Sequence, residues 1–139
     1  MSKHIDAWMA GAPDMSDFPK KYPELFENVY CGYSCGVGWH PLLHKLCKQI
    51  QHHAERKKME VRIAQIKEKF GGVRVYLDGA DDYIYGLIAM AEDVSSLICE
   101  DCGTTMNVEC KGIRGKGSWI KTLSGACRIR RQTSRQWSK

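Results

Sequence analysis

Four cysteines, Cys99, Cys102, Cys110 and Cys127, fall within 29 residues, and no other feature restricts how this chain can fold so strongly. The first two form Cys99-Glu100-Asp101-Cys102-Gly103, a C-x2-C-G turn. That spacing lets two thiolates converge on one tetrahedral ion, and the glycine lets the chain double back beneath it. A structural zinc needs two more ligands. Seven residues separate Cys102 from Cys110, and sixteen separate Cys110 from Cys127. A lone C-x2-C also reads as a redox pair, but four cysteines so crowded favour a four-thiolate zinc site over a disulfide or unliganded thiols.

The compartment follows from the same residues. The start, Met1-Ser2-Lys3-His4-Ile5-Asp6, lacks the apolar core of a signal peptide. Seven cysteines without an export signal indicate a reducing cytoplasm, and the odd count argues against a fully paired disulfide framework. No run approaches the ~20 apolar residues of a membrane span, so no membrane partner is expected. A length of 139 residues suits one domain with a core of its own.

Charge is distributed unevenly. Residues 1–110 carry 12 Lys/Arg against 16 Asp/Glu, whereas residues 111–139 carry nine Lys/Arg and no acid. A net of +9 in the last 29 residues is the signature of a polyanion partner, since binding there releases counterions. The expected nucleic-acid-binding residues are Lys111, Arg114, Lys116, Trp119, Lys121, Arg128, Arg130 and Arg131. The plainer alternative is a solvated basic tail.

Along the chain, residues 1–34 read as short pieces punctuated by Pro13, Pro19 and Pro23. Ser2 is placed to cap a short helix carrying Ile5, Trp8 and Met9, and Glu24–Tyr30 suits another helical turn or two. Residues 35–98 read as an α+β core. Cys35-Gly36-Val37-Gly38 belongs to a glycine-rich loop, a flexible entry to a helix opened by Pro41. Leu42, Leu43, Leu46, Cys47 and Ile50 recur there at helical spacing through about Arg56. A β-hairpin follows, with Gly71-Gly72 as its two-residue turn, Phe70 opposite Val73 and Lys69 opposite Arg74. Ile84, Leu87, Ile88, Ala91, Val94 and Ile98 mark a second helix running to the C-x2-C turn. Residues 99–127 form the zinc-binding element, with a basic glycine loop at Gly112, Gly115 and Gly117 and a short strand at 118–123. Residues 128–139 form a basic tail.

Four strings are similar to ones found in a family of small uncharacterised, zinc-binding proteins of tailed phages and prophages. They are Gln65–Tyr76, Cys35-Gly36-Val37-Gly38-Trp39, Ala89-Met90-Ala91-Glu92 through Gly103, and Trp119-Ile120-Lys121-Thr122-Leu123. The resemblance covers roughly residues 35–127. It implies a phage-encoded protein in the host cell cytoplasm with a zinc-ribbon-like end, and it implies no reaction. The family follows its Thr-Leu with C-x2-H or C-x2-C, whereas this chain has Ser124-Gly125-Ala126-Cys127. Serine is a poor zinc ligand, so the third family ligand is lost at Ser124 and Cys110 is the expected substitute from the preceding loop. Without Cys110 the site has three thiolates and is either weakened or completed by a histidine or water.

His40, His44 and Cys47 share a helical face near Cys31 and Cys35, a pattern that suits either a second metal or core packing. His52 and His53 read as surface residues at a helix end. Zinc-deaminase, H-E-x-x-H and phosphate-loop motifs are absent, and Gly32-Tyr33-Ser34-Cys35-Gly36 matches G-x-S-x-G without a preceding strand. The expectation is therefore an α+β fold: a β-hairpin or small antiparallel sheet packed by two main helices, with a C-terminal zinc knuckle. The expected function is that of a non-enzymatic phage accessory protein that binds zinc and, through its basic end, nucleic acid. The rival reading is a counter-defence or host-takeover protein that binds and inhibits a host protein.

Overall fold

The computed structural model describes residues 17–27, 33–113 and 119–133. The helix expected around Ser2 and Trp8, Cys31, Arg114, Lys116 and the end of the basic tail lie outside them. Among the described residues the chain is α+β, with four α-helices and two small sheets. Helix α1 (Phe18–Lys21) is a single turn with Pro19 near its start. It precedes the turn expected at Glu24–Tyr30, because Phe18, Tyr22 and Phe26 close an edge-to-face aromatic cluster.

A two-residue strand, β1 (Tyr33–Ser34), leads through a 3-10 turn (Val37–Trp39) into α2 (His40–Lys57). Pro41 sits in the first turn of α2. The helix stops at Lys58, which takes φ 54°, and the backbone N–H groups of Lys58 and Met59 both donate to Ala54. Leu43, Leu46, Cys47 and Ile50 supply its buried stripe.

The central hairpin joins β2 (Arg62–Lys69) to β3 (Gly72–Asp78), and β1 adds to β2 in parallel. Its register differs from expectation by one turn residue. Lys69 pairs with Gly72 and Lys67 with Arg74, so the turn is Phe70-Gly71. Both have positive φ, 54° and 85°, as a two-residue primed turn requires. Phe70 consequently lies outside the core and is 69% exposed. The core face still carries Ile66, Val73 and Val75, as alternation predicts.

Helix α3 (Asp82–Ser95) begins where Asp81 Oδ1 accepts the Ile84 amide at 3.0 Å. It buries Ile84, Ile88 and Ala91 in the same cluster as the apolar faces of α2, β2 and β3. The Trp39 indole N–H reaches both Ser95 O (3.2 Å) and Ile98 O (2.9 Å), which fastens the start of α2 to the end of α3. His53, expected at the surface, is buried. Its Nε2 lies 2.7 Å from Asp81 Oδ2, and its ring stacks on Tyr83.

The C-terminal third is a second, two-stranded antiparallel sheet, β4 (Val108–Gly112) with β5 (Ile120–Ser124), followed by α4 (Gly125–Thr133). The tail expected from residue 128 is thus helical through Thr133. Buried Arg128 and Arg131 anchor it, so the segment is ordered by packing of its cations. No helix among the described residues is long and apolar enough to cross a membrane.

Candidate metal centre

Cys99 enters just past α3, and the chain reverses at once. The Gly103 amide donates to Cys99 O and the Cys99 amide to Thr104 O, both at 2.9 Å, with Gly103 at φ 81°. The reversal turns Cys102 back toward Cys99, and the first turn of α4 delivers Cys127. The sulfurs of Cys99, Cys102 and Cys127 lie within 4.8 Å of one another, the only such group of three His, Cys, Asp or Glu among the described residues. Tetrahedral zinc with Zn–S of about 2.3 Å sets sulfurs roughly 3.8 Å apart, so a small contraction closes the three around an ion. Cys99 and Cys127 are buried and Cys102 is half-buried.

The surroundings favour thiolate at Cys99. Cys99 is held well below the ordinary thiol range, first by a hydrogen bond from Cys127, against the cost of burial, and then by the backbone amides of Ser124, Cys102 and Asp101. Cys127 is pushed up because it keeps the proton the pair shares. A metal ion would replace that proton. Arg130 Nη2 lies 3.6 Å from Cys127 Sγ and adds positive charge beside the sulfurs. The cluster is therefore compatible with a metal site.

Cys110 is not part of it. Register explains why: Cys110 pairs with Thr122, while Val108 pairs with Ser124. Cys110 is thus two residues, roughly 7 Å along the strand, from the position beside the cluster. It turns instead to the central hairpin, with Sγ 3.8 Å from Phe70 O. Thr122 Oγ1 donates to Gly71 O at 2.5 Å from the same side. A Cβ on Gly71 would meet Cys110 Sγ at 2.6 Å, a contact the exposed cysteine can relieve by turning, so it is the positive φ that favours glycine there. The residue that does stand at the cluster is Ser124, whose Oγ is 3.8 Å from Cys102 Sγ.

The structure also redistributes the basic residues. Lys121 is 5% exposed, and its ammonium bridges Glu68 (3.0 Å) and Glu100 (2.7 Å). Arg128 is buried and donates to four backbone carbonyls, those of Glu109, Lys111, Gly112 and Lys121. Arg131 makes a two-pronged pair with Asp101, and its guanidinium and the Lys121 ammonium both lie over the half-buried Trp119 ring. These three cations and Trp119 hold the C-terminal unit together, so they are not an exposed phosphate-binding row. Lys111 and Arg130 remain at the surface, with Lys111 paired to Glu109 at 3.3 Å and Arg130 to Asp101 at 3.6 Å.

Sequence reasoning missed Glu68, Gly36 and Gly38, and it weighed Glu100 only as a possible base beside an open zinc site. Glu100 accepts the Gly36 amide on Oε2, accepts the Gly38 amide on its carbonyl and donates its own amide to Thr122 O. A Cβ on Gly38 would run into the backbone of Cys99 and Glu100. The glycine loop is thus a close-fitting seat for the C-x2-C turn, where a flexible entry was expected. The available signals were Glu68 alone on an apolar strand face and two glycines bracketing Val37.

The second metal site does not assemble among the described residues. His44 Nδ1 is 2.5 Å from the Tyr22 hydroxyl, and burial pushes the Cys47 thiol up, so it stays protonated in the core. Cys35 is likewise pushed up to about 12, first by burial and then by Glu100, which leaves it a poor nucleophile. No protein-family model, curated protein or solved structure matches the chain.

Proposed function

We propose that the protein is a non-enzymatic accessory protein of a tailed phage, acting in the host cytoplasm. In this reading Cys99, Cys102 and Cys127 hold one structural zinc, and the zinc-organised C-terminal unit binds nucleic acid. The observation that carries the zinc reading is the convergence of three largely buried sulfurs with amide donors on Cys99. Soft thiolates in a tetrahedral arrangement suit zinc, and coordination would supply folding energy to a small unit whose buried apolar side chains are few. The nucleic-acid reading rests on charge. With Lys121, Arg128 and Arg131 turned inward, the exposed candidates among the described residues are Lys111 and Arg130, and the sequence adds Arg114 and Lys116, which lie outside the described residues.

Two measurements on the purified full chain test this. Metal analysis is expected to find about one zinc per chain, lost on Cys99→Ser or Cys102→Ser but retained on Cys110→Ala. Gel retardation across a salt series is expected to show sequence-independent binding. Four phosphate contacts give a log–log salt slope of roughly −3 to −4 on duplex DNA. Charge reversal at Lys111, Arg114 and Lys116 abolishes that binding and leaves zinc in place.

The host-protein reading has one observation of its own, the outward Phe70 at the hairpin tip beside the exposed Lys69. Failure to retard DNA or RNA at low salt, with a host protein retained after nuclease treatment and released by Phe70→Ser, would put that reading first.

A further inference from the structure

We infer that the fourth ligand of this metal centre is the Ser124 hydroxyl, so that the chain holds its ion with three sulfurs and one oxygen. The inference rests on the metal reading above and goes beyond it. Ser124 closes β5 and is buried, and its Oγ lies 3.8 Å from Cys102 Sγ, close to the edge length of a tetrahedron built on zinc. Its Oγ accepts the Cys127 amide at 3.2 Å, which is the capping bond of α4. A hydroxyl has two acceptor lone pairs and one proton. The capping bond takes one lone pair, which leaves the second for the ion.

Charge supports an oxygen at this corner. Three thiolates around a divalent ion carry −1, and Asp101 adds another −1. Arg130 reaches both Cys127 Sγ and Asp101 at 3.6 Å, and Arg131 pairs with Asp101. Two guanidinium groups thus balance three thiolates, one carboxylate and one divalent ion, provided that the fourth donor is neutral. A fourth thiolate would leave this half-buried cluster one negative charge in excess. The hydroxyl is also a harder, weaker donor than thiolate, so the site exchanges its metal more readily than a four-sulfur site.

Cobalt(II) replaces zinc as the probe, because thiolate-to-cobalt charge-transfer intensity counts the sulfurs and the visible bands report the geometry. Full-length wild type and Cys110→Ala are expected to give the same three-sulfur tetrahedral spectrum, and Ser124→Cys a four-sulfur spectrum with tighter binding. Ser124→Ala should weaken cobalt binding at least as much as loss of an outer-shell partner, on the order of 10–100-fold, and change the visible bands. Because alanine also removes the helix cap, Ser124→Asp, which keeps a capping oxygen, serves as the control. Its bands should differ from wild type even though α4 stays capped. A three-sulfur spectrum indifferent to every Ser124 substitution overturns the inference but leaves the metal reading standing. A four-sulfur wild-type spectrum that Cys110→Ala reduces to three overturns it in favour of Cys110. Absence of any cobalt thiolate absorption overturns the metal reading itself.

Discussion

Lys121→Met asks whether the charge on β5 serves the protein interior or a polyanion. The ammonium lies between Glu68 Oε1 at 3.0 Å and Glu100 Oε1 at 2.7 Å. Only 3% of the Glu100 side chain and 16% of the Glu68 side chain are exposed. Without Lys121, two carboxylates face each other away from bulk water. Breaking a buried pair in this way costs about 3–5 kcal/mol, whereas loss of a surface pair costs ~1 kcal/mol or less. Glu68 keeps some access to solvent, so the expected loss is near the lower limit, about 3 kcal/mol. At roughly 3 °C per kcal/mol for a domain of this size, Tm falls by about 10 °C. The assay is urea and thermal unfolding at fixed free zinc, since any metal bound to the native state adds to apparent stability. Adding Glu100→Gln, which keeps an acceptor for the Gly36 amide, should recover at least half of the loss. A loss below ~1 kcal/mol refutes the buried-bridge reasoning, as does a double variant no better than the single one. Unchanged stability with abolished nucleic-acid retardation would make Lys121 a phosphate contact after all.

Arg128→Met strands four backbone carbonyls and should destabilise the C-terminal sheet and α4 by about 2–3 kcal/mol, read as early loss of hydrogen-exchange protection in β4 and β5. Gly38→Ala drives a methyl into the backbone of the C-x2-C turn, so it should lower both Tm and zinc retention, while Gly86→Ala, with open space around it, should be neutral or mildly stabilising. The Asp81 carboxyl is held below its usual range, chiefly by the hydrogen bond from His53 and next by the Ile84 amide. Its contribution is therefore present above the unfolded carboxylate range and lost as pH falls through the lower folded value. Asp81→Asn should flatten that acid limb of a stability–pH curve while still capping α3.

Both main helices were legible because burial follows their period: Leu43, Leu46 and Ile50 in one, Ile84, Ile88 and Ala91 in the other. The hairpin was legible from its glycines, yet its turn fell one residue early. Phe70 takes a left-handed φ that sequence assigned to glycine, and Gly72 is kept as a strand residue. Three of the four expected metal ligands converge, since C-x2-C spacing dictates a local geometry. Cys110 does not, because spacing along a chain says nothing about strand register. Counting charge failed for a related reason. Lys121 and Arg131 find their acids at Glu68, Glu100 and Asp101, between 21 and 53 residues away in sequence, and Arg128 spends its charge on carbonyls.

Glu100 receives amides from the glycine loop, holds the ammonium it shares with Glu68 of the hairpin and donates to β5. The consequence concerns portability. Many small metal knuckles can be cut out and grafted as independent modules, since the ion alone organises them. Here the loop between the two leading ligands is also the socket for three other parts of the chain. Excised, residues 99–133 would strip Glu100 of its partners Gly36 and Gly38, and Lys121 of Glu68. Truncated before Cys99, the core would leave Gly36, Gly38 and Glu68 without theirs. This cysteine cluster can move between proteins only with the scaffold that grips it.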